Sequence, residues 1–362
     1  MLPDGPYPVF GANGVIGRYD KFNHETPQLL ITCRGATCGS VNVSEPMSWI
    51  TGNAMVVRPK SENLDLRFLE YMFRGGMDIT PAITGAAQPQ ITRTNLNPIL
   101  IRYPLDLEEQ QRIVTLLDEA FDGIATAKAN DEKNLQNALE LVGTGFQALT
   151  ESLGRTGWPI QHVESLAASH KGAMRTGPFG SQLLHSEFVD EGIAVLGIDN
   201  AVANEFRWDR RRYITPEKYQ QMGRYRVFPR DILITIMGTC GRCAVVPDDI
   251  PVAINTKHLC CITLNREKCL SEYLHIYFLH DLTARDYLTA HAKGSIMAGL
   301  NMGIIAELPV RLPSLAVQAE IVERFASLKE ETQRLESLYQ RKLQALDDLK
   351  KSLLHQAFSG GV

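Results

Sequence analysis

Two long stretches of the chain place apolar residues at alternating spacings of three and four, which is the pattern of one helix face. In residues 107–150 this face carries Ile113, Leu117 and Ile124 and, after a break, Leu135, Leu139 and Phe146. In residues 315–358 it carries Ile321, Phe325, Leu328, Leu335, Leu346, Leu349 and Leu353, with interruptions at Thr332 and Lys342. Because both stretches have such a seam and nearly equal length, we predict that they pair as an antiparallel coiled coil.

The pattern changes to short apolar runs and turn formers in the remaining two segments. Residues 7–104 predict strands at Tyr7–Gly17 and Ile50–Val57 and a short helix near Leu66–Phe73. Residues 158–313 predict a strand at Ile232–Ile236 and a helix at Cys269–His280. The fold class is therefore α+β, with two mixed α/β domains separated by two long helices.

The two halves of the chain repeat one another. Leu107–Val114 reappears as Leu315–Val322, about 208 residues later, and each copy follows an apolar, proline-ended strand pattern, Ile99–Pro104 and Leu308–Pro313. Further upstream, Leu30–Gly39 is similar to Leu233–Gly241, and Gly85 has a counterpart in Gly294. This offset is too long for a solenoid and predicts a duplicated domain-plus-helix unit with internal pseudo-two-fold symmetry. A protein with a doubled unit usually meets a target that has two equivalent halves.

The repeat predicts four segments, namely residues 1–104, 105–152, 153–313 and 314–362. The two globular segments differ at their starts. About 70 residues precede the strand at Asp231–Leu233 in the second, against fewer than roughly 30 in the first. We therefore expect a first domain that is shortened at its N-terminal side.

Composition narrows the class of protein. The 362 residues are 44% hydrophobic and 22% charged, and no apolar run approaches the roughly 18 residues of a membrane span. The N-terminus lacks the pattern of a signal peptide, and the seven cysteines are odd in number and unevenly spaced. Both features predict reduced thiols and a cytoplasmic location.

The sequence contains no motif that predicts catalysis or a cofactor in this chain. Gly-x-Gly-x-x-Gly and Walker A loops are absent from it. Cys240 and Cys243, with His258, Cys260 and Cys261, could form a zinc site, but the spacing is loose and cysteines near a strand turn are more often small core residues. We therefore predict a non-enzymatic chain without a bound metal.

Positive charge is concentrated locally although the net charge is −4. In the second globular segment, the predicted phosphate contacts are Lys171, Arg175, Arg207, Arg211 and Arg212, together with a turn at Gly177, Phe179 and Ser181. Arg242, Lys257 and His258 are predicted to contact bases. In the first globular segment the candidate contacts to nucleic-acid bases are Arg34, Gln88, Gln90, Thr92 and Arg93. The competing interpretations are a solvated charged hairpin, a structural turn and an ordinary polar loop.

The order of segments resembles the specificity subunit of type I restriction-modification systems. The residues that carry the resemblance are Pro104–Val114, Pro313–Val322, Thr176–Leu183, Asp231–Leu233, and Leu335–Leu354 followed by Ala357–Gly360. In that family each of two target-recognition domains reads one half of a split DNA sequence, and an antiparallel coiled coil sets the spacer. The resemblance implies a non-catalytic subunit that binds double-stranded DNA, two methyltransferase subunits and, through them, motor nucleases.

The same resemblance implies that S-adenosylmethionine, ATP and Mg²⁺ are used by the partner subunits. Two alternatives remain. One is a coiled-coil tether that binds only protein partners, and the other is a self-contained methyltransferase–nuclease, which the missing motifs disfavour.

Overall fold

The computed structural model describes residues 4–11, 13–60, 62–85, 87–291 and 300–359. Its contacts divide the chain into two compact units. The first unit is Met1–Leu135 with Leu338–Val362, and the second is Gln136–Ser337. This division cuts both long helices, so each helix contributes one portion to each unit. The four segment boundaries drawn from the repeat remain a prediction.

The first unit contains two three-stranded sheets, ordered β2-β1-β5 and β4-β3-β6. Their strands are β1 (Tyr7–Gly11), β2 (Gly14–Tyr19), β3 (Leu29–Thr32), β4 (Val41–Val43), β5 (Trp49–Ile50) and β6 (Ala54–Val57). The single strand predicted at Ile50–Val57 is wrong. A turn in which the Ala54 N–H donates to the Thr51 carbonyl (3.2 Å) splits it between the two sheets.

The helices of the first unit follow these sheets. α1 (Leu66–Tyr71) begins where the Asp65 carboxylate accepts the Phe68 N–H (2.9 Å), and it continues as a π-helical turn, Met72–Gly76. The remaining elements are β7 (Ile83–Thr84), β8 (Gln90–Ile91), α2 (Arg93–Leu96) and the long helix α3 (Leu107–Ser152), which continues into the second unit.

The second unit contains two four-stranded sheets, ordered β12-β11-β16-β13 and β10-β17-β14-β15, and a two-stranded pair, β18-β9. The strands are β9 (Ile160–His162), β10 (Met174–Thr176), β11 (Ile193–Leu196), β12 (Tyr213–Ile214), β13 (Arg226–Val227), β14 (Ile232–Thr235), β15 (Cys243–Val245), β16 (Ala253–Asn255), β17 (Leu259–Ile262) and β18 (Pro309–Arg311). The helices are α4 (Val163–Leu166), α5 (Pro216–Met222), α6 (Ser271–His280), α7 (Leu282–His291), α8 (Met302–Ala306) and α9 (Leu315–Phe358).

The predicted duplication is visible in matching sheets and turns. In both units one strand pairs with an antiparallel neighbour and a parallel one, β1 with β2 and β5, and β11 with β12 and β16. The turns after β3 and β14 close alike. The Gly39 N–H donates to Thr32 O and the Gly241 N–H donates to Thr235 O, each over 2.9 Å. Both glycines have positive φ, 92° and 78°. Glycine adopts this backbone conformation readily, which explains why both copies of the turn contain it. Gly294 lies outside the described residues.

The strand predicted at Ile99–Pro104 does not form, whereas its counterpart at Leu308–Pro313 forms β18. β18 obtains its hydrogen bonds from β9, which follows α3 directly. Within the described residues, no strand pairs with the first copy, and Leu100 is 91% exposed. The same apolar pattern is therefore a strand only in the unit that supplies a partner.

The glutamine of the repeated motif has the same structural role in both units. Gln110 and Gln318 are fully buried at the start of α3 and α9. The Gln110 side chain accepts the Asp65 N–H (2.8 Å) and donates to Asn63 O (2.8 Å) and Pro104 O (2.7 Å). Gln318 accepts the Leu270 N–H and donates to Lys268 O and Pro313 O, each over 2.9 Å. Each glutamine therefore ties the start of a long helix to the N-terminus of a shorter helix earlier in the chain, α1 or α6.

The two long helices pair antiparallel within each unit, as the seam predicts. In the first unit Ile113 and Leu117 share a buried cluster with Leu354, and Lys128 contacts Asp347 (2.7 Å). In the second unit the Phe146 and Phe325 rings pack edge to face with centroids 5.7 Å apart. As the residue number rises along α3, the number of the contacting residue on α9 falls, so the two helices run antiparallel.

Two predicted seam residues are wrong, because Leu139 is 52% exposed and Leu349 is 46% exposed. Ala138 is buried in place of Leu139, and Leu354 is buried beyond Leu349. The apparent break in the first seam is not a change of register. It holds Lys128 and Asp131, which pair with Asp347 and Lys342 of α9. These two seam positions are polar and form ion pairs with the other helix. A search for apolar residues alone therefore misses the helical period at this point.

Candidate nucleic-acid interface

In the second unit, predicted contact residues gather at the carboxyl ends of β11 and β16. These strands are parallel and adjacent, so the residues after each meet at one edge of the sheet, a common location for ligand sites in open sheets. Asp199 follows β11, Lys257 and His258 follow β16, and Arg212 precedes β12 beside them. Together with Gly180 they line a cavity of about 580 Å³. The sequence placed Arg212, Lys257 and His258 in two different groups, and the structure brings them together.

Arg212 is held in place by an ion pair with Asp199. The two side chains are 23% and 27% exposed. Gly197 makes room for the pair, since a Cβ there would lie 2.5 Å from Nη2 of Arg212. Asp199 Oδ2, Arg212 Nε and Thr256 Oγ1 are buried without a hydrogen-bond partner. Arg212 is thus a fixed, directed guanidinium and differs from a freely moving surface cation.

The surroundings of His258 favour its neutral form. Burial lowers its pKa, and the positive charges of Lys257 and Arg212 lower it further. A neutral imidazole has one donor and one acceptor nitrogen. The cavity therefore presents two cationic donors and one group that can act either way.

The turn after β10 is built mainly for packing, which corrects part of its predicted role. A Cβ on Gly177 would lie 2.1 Å from Asn255 O, so only glycine fits against β16. The Gly177 N–H donates to Thr256 O (3.3 Å), and the Phe179 N–H donates to Gln182 Oε1 (3.3 Å). These two N–H groups are therefore occupied. The exposed ring of Phe179 and exposed Ser181 remain candidate contacts.

Arg175 is wrong as a phosphate contact. Its side chain is 6% exposed and ion-paired with Asp231 (2.5 Å), which is 1% exposed. The guanidinium also donates to Arg226 O and Thr263 Oγ1. Lys171 is exposed, but it precedes β10 whereas the glycine turn follows it, so it does not flank that turn.

Residues 207–230 form a stretch rich in arginine and lysine, and carboxylates from outside this basic stretch neutralise part of its charge. Arg207 pairs with Glu205, Lys218 with Glu187, and Arg230 with Asp248 and Glu272. The exposed arginines lie over aromatic rings, Arg211 over Trp208 (5.6 Å) and Arg224 over Tyr225 (4.7 Å). Arg242 is exposed in the turn after β14, where its N–H donates to Thr235 Oγ1 (2.9 Å).

In the first unit, a β-bridge brings Arg34 and Gln90 together. The Gly35 N–H donates to Pro89 O (3.0 Å), which holds the turn after β3 against the predicted polar loop. Arg34, Gln88 and Gln90 are all exposed. Thr92 has a structural role, because its hydroxyl accepts the Asn95 N–H (3.2 Å) and caps α2.

Sequence reasoning missed two cations in the first unit. Arg93 lines a cavity of about 450 Å³ together with Arg58, Lys60 and Asn97. Arg58 is oriented by Gln28, whose Oε1 accepts its Nε–H (2.5 Å). The local signal was a cation pair around Pro59 directly after the apolar strand β6.

The cysteines considered as zinc ligands lie mainly in the sheet core. Cys243, Cys260 and Cys261 are fully buried, and burial raises the pKa of all three thiols. Among the residues that the structure describes, no group of three or more His, Cys, Asp or Glu side chains could hold a metal ion. In the same residues no helix is both long enough and apolar enough to cross a membrane.

Comparison with known proteins shows which sequences this chain is similar to. The family model for the type I restriction modification DNA specificity domain matches residues 2–137 and 198–344. The specificity subunit of the Escherichia coli type I restriction enzyme EcoBI is 28% identical over 172 residues, which cover 48% of this chain and 36% of that subunit. The EcoprrI specificity subunit, also from Escherichia coli, is 28% identical over 142 residues, covering 37% and 34%. The matched segments span about a third of these relatives.

Two solved structures share the fold. One, from work on complex assembly and conformational transition of the type I R-M system, has a TM-score of 0.69 at 15% identity and covers 94% of this chain and 83% of its own. The other, the HsdS subunit from Thermoanaerobacter tengcongensis, has a TM-score of 0.60 at 16% identity and covers 94% and 82%.

Proposed function

Because the chain belongs to the type I restriction-modification DNA specificity family, we propose that it reads a bipartite double-stranded DNA target and has no catalytic activity of its own. Specificity subunits of type I systems are the non-catalytic DNA-recognition components. Each unit would read one half of the target. Loops of that unit would contact base edges, and exposed cations would contact phosphates.

The observation that carries this proposal is the duplication of the strand arrangement and of one turn that bears an exposed arginine. Both units have a strand between an antiparallel and a parallel partner, β1 and β11. Both also place an exposed arginine in the turn that the two units share, Arg34 after β3 and Arg242 after β14. Two similar recognition surfaces on one chain suit a target with two half-sites.

The partners follow from the family. We propose that the chain scaffolds two methyltransferase subunits and, through them, motor-nuclease subunits, in the cytoplasm. S-adenosylmethionine, ATP and Mg²⁺ would then be used by those subunits and not by this chain.

A binding selection tests the proposal. The chain is co-purified with its methyltransferase subunit and equilibrated with a random duplex DNA library at several salt concentrations. We expect enrichment of one sequence made of two short specific halves and a non-specific spacer, with binding that weakens steeply as salt rises. Binding without any enriched sequence, or no binding beyond that of the methyltransferase alone, would leave the protein-only tether as the better account.

A further inference from the structure

The cavity at the carboxyl ends of β11 and β16 presents more hydrogen-bond donors than acceptors to a ligand. Asp199 Oδ1 is already bonded to Arg212, and Asp199 Oδ2 is buried. The Arg212 guanidinium and the Lys257 ammonium can only donate. The site therefore suits a ligand edge that consists of acceptors.

The walls of the cavity indicate which ligand it suits, the edge of a base or a backbone phosphate. Besides the polar groups, its walls include the apolar side chains of Leu183, Phe188, Ile198 and Val202. Sites with apolar walls and a few directed polar groups are typical of organic ligands. A backbone phosphate is better served by the exposed Arg211 and Arg224 on the surrounding surface.

The rigidity of Arg212 points in the same direction. A flexible cation contacts phosphate adequately as a point charge, whereas reading a base needs the planar fork at a defined angle. Asp199 supplies that constraint, and Gly197 leaves the space for it.

We propose that Arg212, oriented by Asp199 and assisted by Lys257, reads a guanine in one half of the split target. In the major groove guanine offers two adjacent acceptors, O6 and N7, and arginine can donate to both. Adenine and cytosine each present a donor there, which would face a donor-rich wall. This inference rests on the proposed function and assigns Arg212 to base reading, away from the phosphate role that the sequence favours.

The test uses the whole chain in complex with its methyltransferase subunits. Sites methylated on a plasmid library are sequenced for the wild type and for Arg212→Lys, Asp199→Asn and Arg211→Lys. We expect Arg212→Lys to relax one G:C position by roughly ten- to hundredfold, in line with the discrimination of a bidentate pair. Asp199→Asn should relax the same position less. Arg211→Lys, the matched control, alters a phosphate contact, so it can weaken binding equally on all sequences but should change the base preference at no position.

Several results would overturn the inference. An unchanged sequence preference in Arg212→Lys would do so, as would relaxation at an A:T pair or equal relaxation throughout one half. Thermal melting shows whether each variant is folded, and selection from the random library replaces methylation where a variant no longer supports it. A wild-type complex that selects no sequence contradicts the proposed function itself. A wild-type split sequence that Arg212→Lys leaves intact contradicts this inference alone.

Discussion

At the scale of single residues, Gln110 and Gln318 explain why the repeated motif contains a glutamine. Each is fully buried and bonds to three backbone groups from two chain segments. Only an uncharged side chain with both a donor and an acceptor can satisfy such a set without a net charge.

Replacing one motif glutamine should therefore destabilise its unit. We expect Gln110→Ala to lower the free energy of unfolding by roughly 2–4 kcal/mol, because buried backbone groups lose their partners. Gln111→Ala, at the exposed neighbouring position, should change it by less than about 0.5 kcal/mol. Urea unfolding followed by circular dichroism measures both, and equal effects would show that the glutamine does not bear this role.

Measurements of stability and of salt dependence should distinguish the buried arginine of the second unit from an exposed one. Arg175 is buried against Asp231, so Arg175→Ala should cost roughly 3–5 kcal/mol of stability by leaving a buried carboxylate unpaired. Arg211 is exposed, so Arg211→Ala should leave stability nearly unchanged. It should instead reduce the slope of log binding constant against log salt by about one unit. A normal melting temperature for Arg175→Ala, or an unaltered salt slope for Arg211→Ala, would contradict the assignment.

At the scale of elements, the seam between α3 and α9 allows a matched comparison on one helix. Leu346 is half-buried and Leu349 is 46% exposed. Leu346→Asp should cost roughly 2–4 kcal/mol because it places a carboxylate in an apolar seam. Leu349→Asp should cost less than about 1 kcal/mol. If thermal melting ranks the two variants in the opposite order, the seam has been placed on the wrong helix face.

How far the elements follow from the sequence depends on how local their determinants are. The sequence locates α3 and α9 to within about two residues, because a seam repeats every turn of the same segment. It also reveals the duplication, since Gly39 and Gly241 need positive φ at the same turn. Ile99–Pro104 fails as a strand because strand formation depends on a partner from elsewhere in the chain.

The candidate site follows the same rule. Lys257, His258 and Arg212 can be selected by residue type, but their convergence depends on the parallel pairing of β11 with β16. The burial of Arg175 depends on Asp231, a residue 56 positions away. Neither of these two pairings can be predicted from the sequence pattern around the residues involved.

At the scale of the whole molecule, each long helix runs from one unit into the other, so helix length should determine the DNA spacer. We propose inserting one heptad, about two turns or roughly 10 Å, into both helices, after Lys133 and after Gln340. The spacer of the methylated sequence should lengthen by about three base pairs at roughly 3.4 Å per step.

A five-residue insertion at the same two points is the control, because at 3.6 residues per turn it rotates the following part of each seam by about 140°, away from the other helix. We expect that variant to lose stability and methylation. A methylated sequence whose spacer stays the same length after the heptad insertion rules out a spacer set by the helices.

The central claim is that two equivalent units each read one half of the target. The most direct measurement is sequencing of the sites methylated by the complete complex, carried out with variants confined to one unit at a time. Arg34→Ala and Gln90→Ala should alter one half only, and Lys257→Ala and His258→Ala should alter only the other, with the spacer unchanged throughout. If both pairs of variants alter the same half, or if neither pair alters any base preference, the assignment of one half-site to each unit is wrong.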